Sequence, residues 1–261
     1  MLKTRVITAI AALGIVAMVL FVLPRVWAEF IIGLLLLAGA WEWSGFLGLD
    51  KAPVRAAYTA IIAVCLAAVH NLSPDGGALI LKVACVWWFA AFLWAFRFPT
   101  AVPAIVRWAA GVLVLVPLFV ALYTLLRLGT EYLVFTLLIV WLADGGAYFV
   151  GKSVGRVKLA PAISPGKTWE GVGGGFVLVA ALAITVALWR DISVAVMLPF
   201  CLAVAAISIV GDLTVSMFKR TVGVKDSGTL FPGHGGVLDR IDSVAAAAPL
   251  FVLGLTTLGL A

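Results

Sequence analysis

SMFKRTVGVKDSGTLFPGHGGVLDRIDS, residues Ser216–Ser243, lies between two apolar runs at 193–215 and 243–260. Each run is close to the roughly 20 residues that a helix needs to cross a bilayer. The stretch between them carries lysines, arginines and aspartates, one of the chain's two histidines, and five glycines. Two spanning helices whose polar tips meet at a membrane surface explain this layout. Working outward, the rest of the chain repeats the apolar theme with little polar interruption.

The 261 residues are 64% hydrophobic and 11% charged, with a mean hydropathy of +1.21. A water-soluble domain carries about 25% charged residues. The deficit leaves too little polar surface for a water-facing protein, so the fold class read here is all-α, polytopic and membrane-embedded. Nine spans are predicted, near 6–23, 29–48, 54–72, 77–96, 105–126, 131–150, 172–189, 193–215 and 243–260. The first is too long for a signal-peptide core and reads as an uncleaved span. With a cytoplasmic N-terminus, fourteen Lys and Arg residues face the cytoplasm and Arg25, Arg127 and Arg190 face out. The positive-inside bias therefore puts the loops near 151–171 and 216–242 on the cytoplasmic side of an inner membrane. The net charge of +6 follows from this topology, and no basic soluble domain exists to bind nucleic acid. Cys65, Cys85 and Cys201 sit in apolar runs without metal-ligand spacing.

Residues 1–130 read as a transmembrane scaffold and residues 131–261 as the catalytic region, without internal repeats. In the scaffold, Glu42 in AWEWSGF is the exception: an acid in a span is a functional candidate. Its neighbours Trp41 and Trp43 favour the membrane interface instead, where an acid costs little.

Three clusters mark the second region. In WLADGGAYFVGKSVGR, Asp144 closes a span, Gly145 and Gly146 admit a close neighbour, and Tyr148 shares the face of Asp144. In SPGKTWEG, Ser164 is expected to cap a helix with Pro165 at its first position. Lys167 and Thr168 would then join exposed amides as an anion site. The Gly-Lys-Thr run is not a P-loop, because position 161 is Pro161 where that motif requires glycine. In the third cluster, Asp212, Ser216 and Lys219 form one helical stripe, and Asp239 and Asp242 share a face at the start of the last helix.

Packed together, these tips would gather Asp212, Asp239 and Asp242. Lys and Arg could neutralise them in a purely structural network. A hard divalent cation would do so too, with basic residues and glycine amides left to hold phosphate. His234 suits a phosphate contact, a water-mediated metal contact or a loop-orienting hydrogen bond; soft-metal ligation lacks a second His or Cys nearby.

The pattern Ser216, Lys219–Arg220, Lys225–Asp226, His234–Gly235–Gly236, Asp239–Arg240 and Asp242 resembles the signature of the CDP-diacylglycerol synthases, or phosphatidate cytidylyltransferases. SPGKTWEG is similar to that family's Ser-Pro-Lys-Lys-Thr-x-Glu-Gly segment, with Gly166 where a lysine is usual. LADGGAYFVGKSVGR resembles its Asp-x-x-Ala-Tyr segment. The resemblance implies that CTP and phosphatidic acid give CDP-diacylglycerol and pyrophosphate with Mg²⁺, a second cation being an option. It implies metal ligands at Asp212 and Asp239, with Lys219, Asp242 and His234 completing the catalytic set. Lys167, Thr168, Ser216, Arg220, Lys225, Gly235, Gly236, Arg240 and Asp144 are expected at the substrate phosphates. The expected partners are CTP, phosphatidic acid, membrane lipid and a second copy of the chain, with no nucleic acid.

A phosphomonoester is anionic at pH 7, so the lipid phosphate needs no strong base to attack. The demand is on positioning and charge stabilisation, in a cleft open sideways to lipid. A CTP-dependent lipid or polyprenol kinase and an ether-lipid CDP synthase are the nearest alternatives. An ion-coupled transporter fits less well, because the acids gather at one face of one half.

Overall fold

The computed structural model describes residues 2–48, 51–231 and 235–260. Nine helices appear among them: α1 Leu2–Phe21, α2 Arg25–Phe46, α3 Ala52–Ala68, α4 Pro74–Ala95, α5 Ala104–Leu128, α6 Thr130–Val154, α7 Trp169–Trp189, α8 Val194–Thr221 and α9 Leu238–Thr257. Each overlaps one predicted span. Seven, α2 through α8 with α3 extended by a 3-10 turn to Asn71, are long and apolar enough to cross a membrane. Apolar side chains such as Val64, Val86, Phe89 and Trp189 point outward, as lipid-facing side chains do.

Lipid removes the hydrophobic incentive for one helix to bind another, so close backbone contact must supply the attraction. Two seams achieve it. Between α6 and α7, a Cβ on Gly146 would sit 2.8 Å from the Cα of Gly175. Between α8 and α9, a Cβ on Gly211 would strike the carbonyl of Asp242 and lie 2.9 Å from the Cβ of Ala246. Ala245, Ala246, Ala247 and Ala248 are fully buried along this second seam. Gly211 directly precedes Asp212, so the seam brings α8 and α9 together at the level of their acids.

The N-terminal half packs into the same body. Trp43 of α2 is fully buried, donates its indole N–H to the Arg107 carbonyl at 2.9 Å, and meets Phe218 of α8 at 5.2 Å between ring centroids. Phe218 precedes Lys219, which ties α2 to the polar end of α8.

Two local expectations need correction. Ser164 is not a helix cap: Ser164–Thr168 is a strand, β2, paired antiparallel with β1 Lys158–Ala160. The missing N–H of Pro165 is tolerated because a two-stranded sheet is all edge. Thr168 caps α7 instead, its hydroxyl accepting from the Gly171 amide at 3.2 Å. Asp144 does not close a span: α6 continues to Val154, because Gly145 and Gly146 keep helical bonding while Gly146 packs on α7. Glu42, whose flanking tryptophans suggested the membrane interface, is 8% exposed and bonded to the start of α9, so its carboxylate is held by protein groups.

Candidate active site

Helices α8 and α9 and the β1–β2 hairpin converge at one end of the bundle. The hairpin delivers Lys167, whose Nζ lies 2.6 Å from Asp212 Oδ2 on α8. One turn on, the Ser216 hydroxyl donates to Asp212 Oδ1 at 3.1 Å, as the i, i+4 spacing requires. A further turn brings Lys219, whose Nζ reaches across to Asp239 Oδ1 on α9 at 2.7 Å. The second pair is the more enclosed: its side chains are 9% and 5% exposed, against 23% and 26% for Lys167 and Asp212.

Asp239 is held at both oxygens. Its Oδ2 accepts from the Ser227 amide at 2.8 Å and the Gly236 amide at 2.9 Å, with the Ser227 hydroxyl 3.0 Å away. Gly235 adopts a φ of +82°, and a Cβ there would meet Asp239 Oδ2 at 2.5 Å. Glycine is therefore required on two grounds, backbone conformation and close approach. Gly236 contributes its amide, as a glycine-rich phosphate or carboxylate cradle does.

Asp144 on α6 and Asp242 on α9 complete a group of acids around Asp212. All three lie within electrostatic reach of one another, and Lys167, Lys219 and Arg240 stand among them. Asp242 is 8% exposed, and its Oδ1 accepts from the Ser243 amide at 2.8 Å. Asp144 therefore joins the site from mid-helix, on the face that α6 turns toward α8 and α9.

Other expected residues take different places. Arg220 donates to the carbonyls of Ile163 at 3.2 Å and Val224 at 3.3 Å, tying the hairpin turn to the end of α8. Thr168 is buried as the α7 cap. Lys225 is exposed on the α8–α9 connection, and Arg240 is exposed in the first turn of α9. His234 lies outside the described residues. Two contributors were missed. Ser227 joins Asp239 from a Lys-Asp-Ser-Gly run in which only the first two residues stood out. Ser243 lies beside Asp144. No local spacing signals either contact.

The donor chemistry suits a hard cation. The acids offer only oxygen, and ammonium groups already stand against Asp212 and Asp239, as a cation would. Among the described residues, no three Asp, Glu, His or Cys side chains converge tightly enough to enclose a metal alone. Mg²⁺ is commonly held by one or two carboxylates, with water and substrate phosphates filling the remaining positions.

The sequence profile of the cytidylyltransferase family matches residues 3–258. A phosphatidate cytidylyltransferase of Pseudomonas aeruginosa is 42% identical over 268 residues, covering 99% of this chain and 98% of that protein. A phosphatidate cytidylyltransferase of Haemophilus influenzae is 37% identical over 284 residues, with 96% and 97% covered. One from Staphylococcus saprophyticus is 42% identical over 134 residues, 51% of this chain and 52% of its own.

Proposed function

The chain belongs to the cytidylyltransferase family, and from that premise we propose that it transfers CMP from CTP to phosphatidic acid, giving CDP-diacylglycerol and pyrophosphate. The observation that carries this reading is the meeting of Lys167, Asp212, Lys219 and Asp239 at one helix-tip junction in a chain that aligns end to end with phosphatidate cytidylyltransferases.

In the reaction, a phosphatidate oxygen forms a bond to the α-phosphorus of CTP. The bond from that phosphorus to the α–β bridging oxygen breaks, and pyrophosphate leaves with the electron pair. No enzyme nucleophile is needed. Two polyanions must be brought together, which is a task of positioning and charge. Lys167 sits at the open side of the cluster and meets the arriving triphosphate. Lys219, anchored by Asp239, holds a second positive charge deeper in. Arg240 and Lys225 add cationic reach at the rim. Ser216 orients Asp212, and the Ser227 and Gly236 amides orient Asp239. Asp212 and Asp239 would hold Mg²⁺, which when bound supplies charge neutralisation to the triphosphate and the departing pyrophosphate.

The lipid side has a matching feature. An apolar cavity of about 360 Å³ runs between α4, α7, α8 and the hairpin, with Phe92, Phe96, Ile163, Phe176 and Leu213 among its walls. The hairpin that carries Lys167 forms one wall, so an acyl chain there would lie beside the element that presents this cation. Each buried CH₂ is worth about 0.8 kcal/mol, which favours delivery from within the bilayer. The protein is a multi-pass membrane protein; we place it in the inner membrane with this end facing the cytoplasm, as a homodimer.

The deciding experiment supplies purified protein with Mg²⁺, phosphatidate vesicles and CTP labelled at the α- or the γ-phosphate. Label from the α position in the lipid product, with pyrophosphate released, is expected. Transfer of γ label would identify a kinase, and absence of turnover would sink the proposal. Cross-linking in membranes reads the dimer.

A further inference from the structure

Glu42 belongs to α2, far from the acids in sequence, yet its carboxylate is built into the start of α9. Oε1 accepts from the Val237 amide at 2.9 Å, and Oε2 accepts from the Leu238 amide at 2.9 Å and the Ser227 hydroxyl at 2.8 Å. The residue preceding α9 is Val237, whose side chain offers no cap. The first amides of a helix have no partner within it. Here an acid borrowed from a helix 195 residues away satisfies them, and its charge suits the positive end of the helix dipole. Gly228 and Gly236 both lie against this carboxylate, and a Cβ on either would collide with it. The chain on both sides of the α8–α9 connection is thus shaped around Glu42.

Ser227 links this clamp to the reaction site. Its hydroxyl lies 2.8 Å from Glu42 Oε2 and 3.0 Å from Asp239 Oδ2. A hydroxyl has one proton, so it donates to one carboxylate at a time. The Ser227 amide already serves Asp239 at 2.8 Å, which frees the hydroxyl for Glu42. A continuous chain of polar contacts then runs Glu42, Ser227, Asp239, Lys219. We infer that Glu42 is a positioning residue of the transfer site: it fixes both flanks of the α8–α9 connection and thereby sets where Asp239 presents Lys219. This rests on the transfer reaction proposed above, and it assigns residues 1–130 a direct part in the site.

The test uses full-length protein in membranes and compares wild type, Glu42→Gln, Ser227→Ala and the double variant. Glu42→Gln keeps the shape but replaces one acceptor oxygen with a donor facing an amide. It is expected to lower kcat by about 10–100-fold, the range seen when a partner that orients a metal ligand is lost. The KM for CTP should stay within about threefold, because Lys167 lies outside the clamp. Residues acting as one unit are non-additive, so the double variant should be no worse than Glu42→Gln by more than about twofold. A readout independent of turnover is tryptic cleavage after the exposed Lys225, expected to quicken in Glu42→Gln and not at unrelated sites. Wild-type kcat together with wild-type cleavage in Glu42→Gln would overturn the inference, as would a double variant showing the product of the single losses. Inactivity of the wild type with CTP and phosphatidate would instead reject the transfer reaction, and the cleavage comparison would still read the clamp.

Discussion

The two lysine–aspartate pairs sit one helical segment apart and do different work. Lys167 and Asp212 keep about a quarter of their side-chain surface exposed and make few other bonds. Lys219 and Asp239 are nearly enclosed, and Asp239 has donors from Ser227 and Gly236 as well. An exposed ion pair contributes at most about 1 kcal/mol to stability, whereas removing one partner of a buried pair costs about 3–5 kcal/mol. Under the proposed reaction the open pair would exchange partners with substrate most readily, while the Ser227 and Gly236 amides keep Asp239 in place whichever cation it faces. Activity can reside in both pairs, but stability resides mainly in one.

The sharpest attempt to break this contrast is Asp239→Asn. It should abolish measurable CDP-diacylglycerol synthesis and lower the Tm in detergent by several degrees, with membrane insertion intact. Retained turnover would remove Asp239 from the site. Asp212→Asn should lose turnover to a similar extent with a Tm change of no more than about a degree, checked in the same scan. Equal destabilisation by the two variants would erase the distinction. Lys167→Met is expected next, with kcat reduced by about 10²–10³-fold, the loss typical of one preorganised charge-stabilising group, and a normal Tm. Lys219→Met should match it in kcat but also destabilise, since it leaves Asp239 buried without its cation. Arg220→Ala should show the smallest effect, roughly 1 kcal/mol of stability from the two lost carbonyl contacts and a few-fold loss of activity as the hairpin loosens. A loss as large as that of Lys167→Met would mean that Arg220 touches phosphate directly.

Much of this was readable from local pattern. The apolar runs of about 20 residues announced the helices, because a bilayer demands that length. The stripe of Asp212, Ser216 and Lys219 followed from helical period alone, and the Ser216–Asp212 hydrogen bond matches it. The β1–β2 hairpin was not readable: Ser164-Pro165 has the form of a helix start, and only pairing with Lys158–Ala160 makes it a strand. Asp144 was placed at the end of a span, whereas α6 runs on to Val154; the close neighbour expected at Gly145-Gly146 is α7, which Gly146 meets.

Glu42 marks the boundary between the two kinds of information. Composition and periodicity are local quantities, and they are enough for a multi-pass helical protein with acids and bases gathered at helix tips. That an acid flanked by tryptophans should cap α9 depends on how α2, α5 and α9 pack. At that junction a Cβ on Gly111 of α5 would strike the Trp43 indole, and one on Gly39 of α2 would crowd Leu238 of α9. Contacts between residues nearly two hundred positions apart leave no period in the chain, so only the folded bundle shows which carboxylate caps α9 and which pair with lysines.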